Sequence, residues 1–150
     1  MALAVRRLPV GASLAFQPVV WLRDLTLAGY EVLLRGVADP AVFFADAVRG
    51  GWACELDAEV CRMAAAAVPF LDPEAMLFVN LTPQSFLAGG AAQEALAGEP
   101  RGRVVVEVTE HAFSTAPGEL ARATAGWRGA GFRLAVDDVG SGQSRLLALA

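Results

Sequence analysis

The sequence predicts an α/β fold on a parallel sheet, the opening part of a (β/α)8 TIM-like barrel. Three observations carry this. Short apolar runs of strand length alternate with helical patterns from residue 13 onward. Several runs, such as Val104-Val105-Val106, are apolar throughout, as strands covered by helices must be. The runs also carry or end in polar oxygen groups: Glu31, Asn80, Glu107, and the adjacent pair Asp137 and Asp138. In a barrel of parallel strands the exits share one face, and the chemistry sits there. A full barrel takes about 250 residues, so these 150 residues read as its N-terminal portion: a lead-in over 1–12 and the partial barrel over 13–150.

The elements follow in order. Ser13 to Leu22 reads as a strand, and Pro18 inside it argues for an edge. A turn over 23–29 leads to a second strand, Tyr30 to Arg35. So short a connection makes a hairpin, with the first strand antiparallel to the second. Asp39-Pro40 opens a helix, aspartate as cap and proline at the first helical position. It ends near Arg49 at Gly50-Gly51. A second helix covers about Glu55 to Val68, with Leu56, Val60 and Met63 facing inward beside Cys61 and Ala64. Pro69 stops it.

Met76 to Leu81 is the third strand, and Thr82-Pro83 opens a short helical piece interrupted at Gly89-Gly90. Ala91 to Ala97 is a further short helix, and Arg103 to Val108 the fourth strand. Pro117 to Trp127 is a helix with Leu120, Ala123, Thr124 and Trp127 on one face. Phe132 to Asp138 is the fifth strand, and Ser144 to Ala150 opens the next helix.

Composition narrows the function classes. At 55% hydrophobic and 19% charged the chain is globular. A net charge of -4 argues against DNA or RNA as partner, which needs a basic surface. All 12 basic residues are arginine. Cys54 and Cys61 fall on one helix face, roughly 10 Å apart and too far for a disulfide. They read as buried thiols of a reducing compartment. No apolar run is long enough to span a bilayer, so a cytoplasmic location is expected. His111 and the tryptophans Trp21, Trp52 and Trp127 are assigned no chemistry; the tryptophans are read as packing.

The oxygen-bearing strand ends point to a hard divalent cation. Two adjacent carboxylates, Asp137 and Asp138, repel unless positive charge lies close. Carboxylates and an amide, with no histidine or thiol among them, favour magnesium, manganese or calcium over zinc.

These segments, taken together, resemble the EAL domain family, the cyclic-di-GMP-specific phosphodiesterases of bacterial signalling. Phe16-Gln17-Pro18-Val19-Val20 resembles the family's opening strand. Glu31-Val32-Leu33-Leu34-Arg35 matches the name-giving E-x-L-x-R motif with valine for the usual alanine. Val79-Asn80-Leu81-Thr82, Glu107-Val108-Thr109-Glu110 and Asp137-Asp138-Val139-Gly140-Ser141-Gly142 match V-N-L-S, E-x-T-E and D-D-F-G-x-G in order.

The resemblance implies a (β/α)8 variant with an antiparallel first strand. It implies that Glu31, Asn80, Glu107 and Asp137 bind a first Mg2+ or Mn2+, and that Asp138 with Asp137 belongs to a second. It further implies that Gln17 contacts a guanine, that Arg35 contacts a substrate phosphate, and that Glu110 anchors the loop over 139–145. The activity implied is metal-dependent hydrolysis of cyclic-di-GMP to linear pGpG; the alternative is a non-catalytic module that binds cyclic-di-GMP or a protein. Two departures lie in the loop, Val139 for phenylalanine and Gln143 for tyrosine. A third is the absence of the family's C-terminal half and catalytic lysine. The expectation is therefore weak or no turnover, with no secure catalytic residue. An open sheet edge invites pairing, so a homo-oligomer, such as a dimer, or a covering partner is expected.

Overall fold

The computed structural model describes residues 8–100, 102–109 and 117–137. Five strands form one sheet in the order β1-β2-β3-β4-β5: β1 Ser13–Val20, β2 Leu27–Arg35, β3 Met76–Leu81, β4 Val104–Thr109 and β5 Arg133–Asp137. β1 pairs antiparallel with β2, and each later pair is parallel. This is the partial barrel with a reversed first strand that the sequence predicts. Pro18 lies in β1, which has β2 as its neighbour and is an edge of the sheet; an edge strand tolerates the missing N–H.

The hairpin is longer than expected, because pairing begins at Leu27 opposite Val20, across a bulge at Val19/Val20. Asp24 closes the turn by accepting from the Thr26 amide at 3.1 Å and its hydroxyl at 2.6 Å. Leu25 follows Asp24 with φ 58, a left-handed conformation that costs a leucine about 1 kcal/mol.

The helices are α1 Pro40–Arg49, α2 Ala53–Ala67, α3 Pro83–Ala88, α4 Gly90–Leu96 and α5 Pro117–Gly129. Asp39 caps α1 as expected, accepting from the amides of Ala41 and Val42 at 2.9 and 3.2 Å. α2 begins two residues earlier than predicted, because the Trp52 carbonyl accepts from Leu56 although no side chain caps it. Its last turn tightens into a 3-10 segment, Val68–Phe70, which takes up Pro69.

The strand residues that face the helices alternate with those that do not. Val32, Leu34, Leu77, Val79, Leu81, Val104, Val106 and Val108 are each at most 4% exposed and belong to the core with Leu56, Phe86, Leu96 and Trp127. A fully buried valine or leucine stabilises by about 1.5–3 kcal/mol, so this layer holds the sheet to its helices. Trp127 stacks on Phe86 with centroids 6.1 Å apart, meets Phe132 edge-on, and donates from Nε1 to the Phe86 carbonyl at 2.8 Å. The tryptophans differ, because Trp21 keeps 44% exposure under the Arg23 guanidinium. Cys61 is buried and Cys54 only half-buried, so the reading of two buried thiols holds for one. No described helix is long and apolar enough to cross a membrane.

Candidate metal centre

Since the even-numbered residues of β2 face the helices, Glu31 lies on the other side. Gln17 is its partner in β1, so it shares that side. Glu31 is opposite Phe78 in β3, and Asn80, two residues on, returns to the same side. Asn80 is opposite Glu107 in β4. Glu107 is opposite Ala135 in β5, and Asp137 again follows by two. Period-two alternation thus puts Gln17, Glu31, Asn80, Glu107 and Asp137 on one face of the sheet, opposite the buried valines and leucines. Arg35, four residues after Glu31, has the same parity.

Contacts tighten this arrangement unequally. Asn80 Nδ2 donates to Glu31 Oε1 at 2.9 Å, which leaves the Asn80 carbonyl oxygen and the second Glu31 oxygen outside that bond. Glu107 is half-buried, and its carboxyl is pushed up to about 7, first by burial and then by the negative charges of Glu31 and Asp137. Asp137 is half-buried as well. Gln17 and Arg35 are exposed. Arg35 donates to the Leu34 carbonyl at 3.0 Å, and among the described residues no ion pair joins it to Glu31. Asp138 and Glu110, with the loop over 139–145, lie outside the described residues.

The donor set fits a hard divalent cation. Glu31, Glu107 and Asp137 offer carboxylate oxygen and Asn80 an amide oxygen, with no softer ligand beside them. Burial is the main cause of the raised Glu107 carboxyl, and the neighbouring charges of Glu31 and Asp137 add to it. Among the described residues no three His, Cys, Asp or Glu side chains are grouped closely enough to hold a metal ion.

One residue behind this face escaped the sequence reading. Asp57 on α2 is 1% exposed. Its Oδ2 accepts from the Thr82 amide at 2.9 Å and from the Thr82 hydroxyl at 2.7 Å, just past the end of β3. Burial raises its carboxyl above the ordinary range, while the Ser85 and Thr82 hydroxyls and the Thr82 amide pull the other way. The available signal was an acid four residues before Cys61 and seven before Ala64, on the face α2 turns to the core.

The comparisons agree on one family. The EAL domain matches residues 10–150. The uncharacterized EAL-domain containing protein YkuI of Bacillus subtilis is 30% identical over 145 residues, which is 87% of this chain and 35% of YkuI. The YkuI structure in complex with substrate c-di-GMP and calcium superposes with a TM-score of 0.77 at 27% identity, over 92% of this chain and 38% of that one. The Klebsiella pneumoniae BlrP1 calcium/c-di-GMP complex gives 0.77 at 28% identity, over 92% of this chain and 37% of that one. A BlrP1 complex with manganese and c-di-GMP gives 0.74 at 27% identity, over 95% and 39%. This chain therefore spans little more than a third of the length of these relatives.

Proposed function

The chain belongs to the EAL domain family, and from that membership we propose that it carries the metal-binding strands of a cyclic-di-GMP phosphodiesterase-type domain. In this reading Glu31, Asn80, Glu107 and Asp137 hold a first Mg2+ or Mn2+, and Asp138 shares a second with Asp137. One observation supports it above the others: four oxygen-bearing side chains from four successive strands share one sheet face, where the fields of Glu31 and Asp137 help raise Glu107. Relatives crystallised with c-di-GMP and calcium or manganese supply the ligand classes.

The chain's own residues act mainly by orientation. The Glu31–Asn80 bond holds two ligand side chains at fixed separation. Arg35, at the end of β2, offers a planar donor pair to a substrate phosphate. Gln17, paired with Glu31 across the hairpin, offers an amide to a guanine edge. A divalent cation, when bound, supplies Lewis-acid stabilisation of phosphoryl charge and a hydroxide nucleophile near neutral pH.

A second reading, cation-dependent cyclic-di-GMP binding without hydrolysis, is favoured by one feature. The 150 residues contain no lysine, and arginine, which stays protonated, cannot stand in for one in proton transfer. The purified chain is expected to bind Mn2+ and cyclic-di-GMP by calorimetry and to form little or no pGpG. Rapid pGpG formation overturns the second reading; no Mn2+ binding by the unmutated chain overturns both.

A further inference from the structure

We propose that Asp57 is a positioning residue for Asn80, acting through a clamp on Thr82 that keeps the exit of β3 in register. This rests on the metal-site reading above.

The sheet holds the end of β3 unequally on its two sides. On its β4 side the register runs through Leu81 opposite Val108. On its β2 side it ends at Val32 opposite Val79. Asn80 and Leu81 are thus held by the ladder on one side only, yet Asn80 must meet Glu31 on β2, the unladdered side. Something other than the β2–β3 ladder has to fix the backbone there.

Asp57 is placed to do so. One carboxylate oxygen takes both the amide and the hydroxyl of Thr82, two residues beyond Asn80. Thr82 is also the N-cap of α3, where its hydroxyl accepts from the Ser85 amide at 3.4 Å. Asp57 therefore ties α2, the end of β3 and the start of α3 at one atom. The clamp is costly to maintain. Asp57 Oδ1 is buried and has no hydrogen-bond partner among the described residues, and an acid taken out of water is disfavoured unless fully satisfied. An asparagine or serine could cap Thr82 more cheaply, whereas a carboxylate oxygen makes stronger bonds to both donors.

The test uses Asp57→Ala, with Val60→Ala on the same helix as a control that removes buried volume without touching Thr82. Asp57→Asn keeps an acceptor oxygen, and Thr82→Val replaces the hydroxyl by a methyl, which removes one of the two bonds to Asp57 and the side-chain cap of α3 but keeps the amide bond. The first readout needs no metal: proton exchange of the Asn80 side-chain amide and the Thr82 backbone amide by NMR. Asp57→Ala is expected to speed both at least tenfold, with Val60→Ala near wild type, Asp57→Asn within about threefold and Thr82→Val between. The second is Mn2+ affinity by calorimetry, expected to fall at least tenfold in Asp57→Ala and to stay within twofold in Val60→Ala. Unchanged Asn80 exchange in Asp57→Ala overturns the proposal, as does an equal effect in Val60→Ala. If the unmutated chain binds no Mn2+, the metal-site reading fails and the exchange readout still decides the clamp. Should Asp57→Ala not fold, Thr82→Val decides, and wild-type exchange in it overturns the proposal.

Discussion

Asn80 and Glu31, separated by 49 positions in the chain, are joined side chain to side chain at 2.9 Å across β2 and β3. The bond links a neutral donor to an acid and sets the spacing of two oxygen-bearing groups. It also fixes which Asn80 atom points at β2, so that the amide oxygen is directed elsewhere.

Removing either end should therefore weaken cation binding more than it weakens the fold. Asn80→Ala removes a proposed ligand together with the donor that orients Glu31, and is expected to reduce Mn2+ affinity by at least the roughly 10–100-fold that loss of an orienting group alone costs. The Tm of the metal-free chain should change by only a few degrees. Calorimetry beside thermal melting checks this, and wild-type affinity in Asn80→Ala would contradict a ligand role.

Glu107 makes the metal-free chain pH-sensitive. Its carboxyl is pushed from 4.5 to about 7 in the folded protein, so between those values the folded chain holds a proton that the unfolded chain has released. Stability contributed by this group is present at low pH and declines as pH rises through that window. The side chain is half-exposed, so after solvent screening the loss is about 1 kcal/mol, or about 2–4 °C in Tm. Glu107→Gln should flatten this dependence, and Mg2+ should raise the Tm of the unmutated chain above pH 7 but not that of Glu107→Gln. Melting curves in chelator from pH 4.5 to 8 give the result; a wild-type curve parallel to that of Glu107→Gln refutes the coupling.

Cys61 should be silent in the native chain. It is 0% exposed, and its thiol is pushed up to about 12, mostly by burial and further by Asp57. The thiolate is the reactive form, so iodoacetamide at pH 8 should label Cys54 and leave Cys61 unlabelled over the same time. Both thiols lie in the tryptic peptide 50–62, and tandem mass spectrometry of that peptide reads each. Because burial disfavours the thiolate, stability should also fall as pH rises from 9 toward 12, and Cys61→Ala should reduce that loss. Equal labelling of the two thiols would mean that α2 opens readily.

Trp127 secures α5 to the helix layer. Trp127→Phe removes the donor to the Phe86 carbonyl and part of a fully buried ring, and is expected to cost about 2–3 kcal/mol. That corresponds to a Tm loss of about 4–12 °C. Cation affinity should stay near wild type, since Trp127 packs on the helix side of the sheet.

Much of this was legible from local patterns. β3 runs from Met76 to Leu81 as the apolar run indicates, and Asp39 caps α1 as the Asp-Pro pair requires. The reversed first strand followed from the short hairpin connection. Even the shared face of Glu31, Asn80, Glu107 and Asp137 was implicit, because strand parity is a property of sequence once the register is known.

Sequence alone determined the strand–helix alternation, the oxygen chemistry at the strand ends and the family, because each is written in contiguous residues. Tertiary structure decided the register between distant strands, the Glu31–Asn80 bond, the raised Glu107 carboxyl and the Asp57 clamp on Thr82. These depend on which groups meet after the helices fold back onto the sheet. Hydrogen bonding and desolvation act between neighbours in space, and Asp57 gains its role only when α2 brings it to the end of β3.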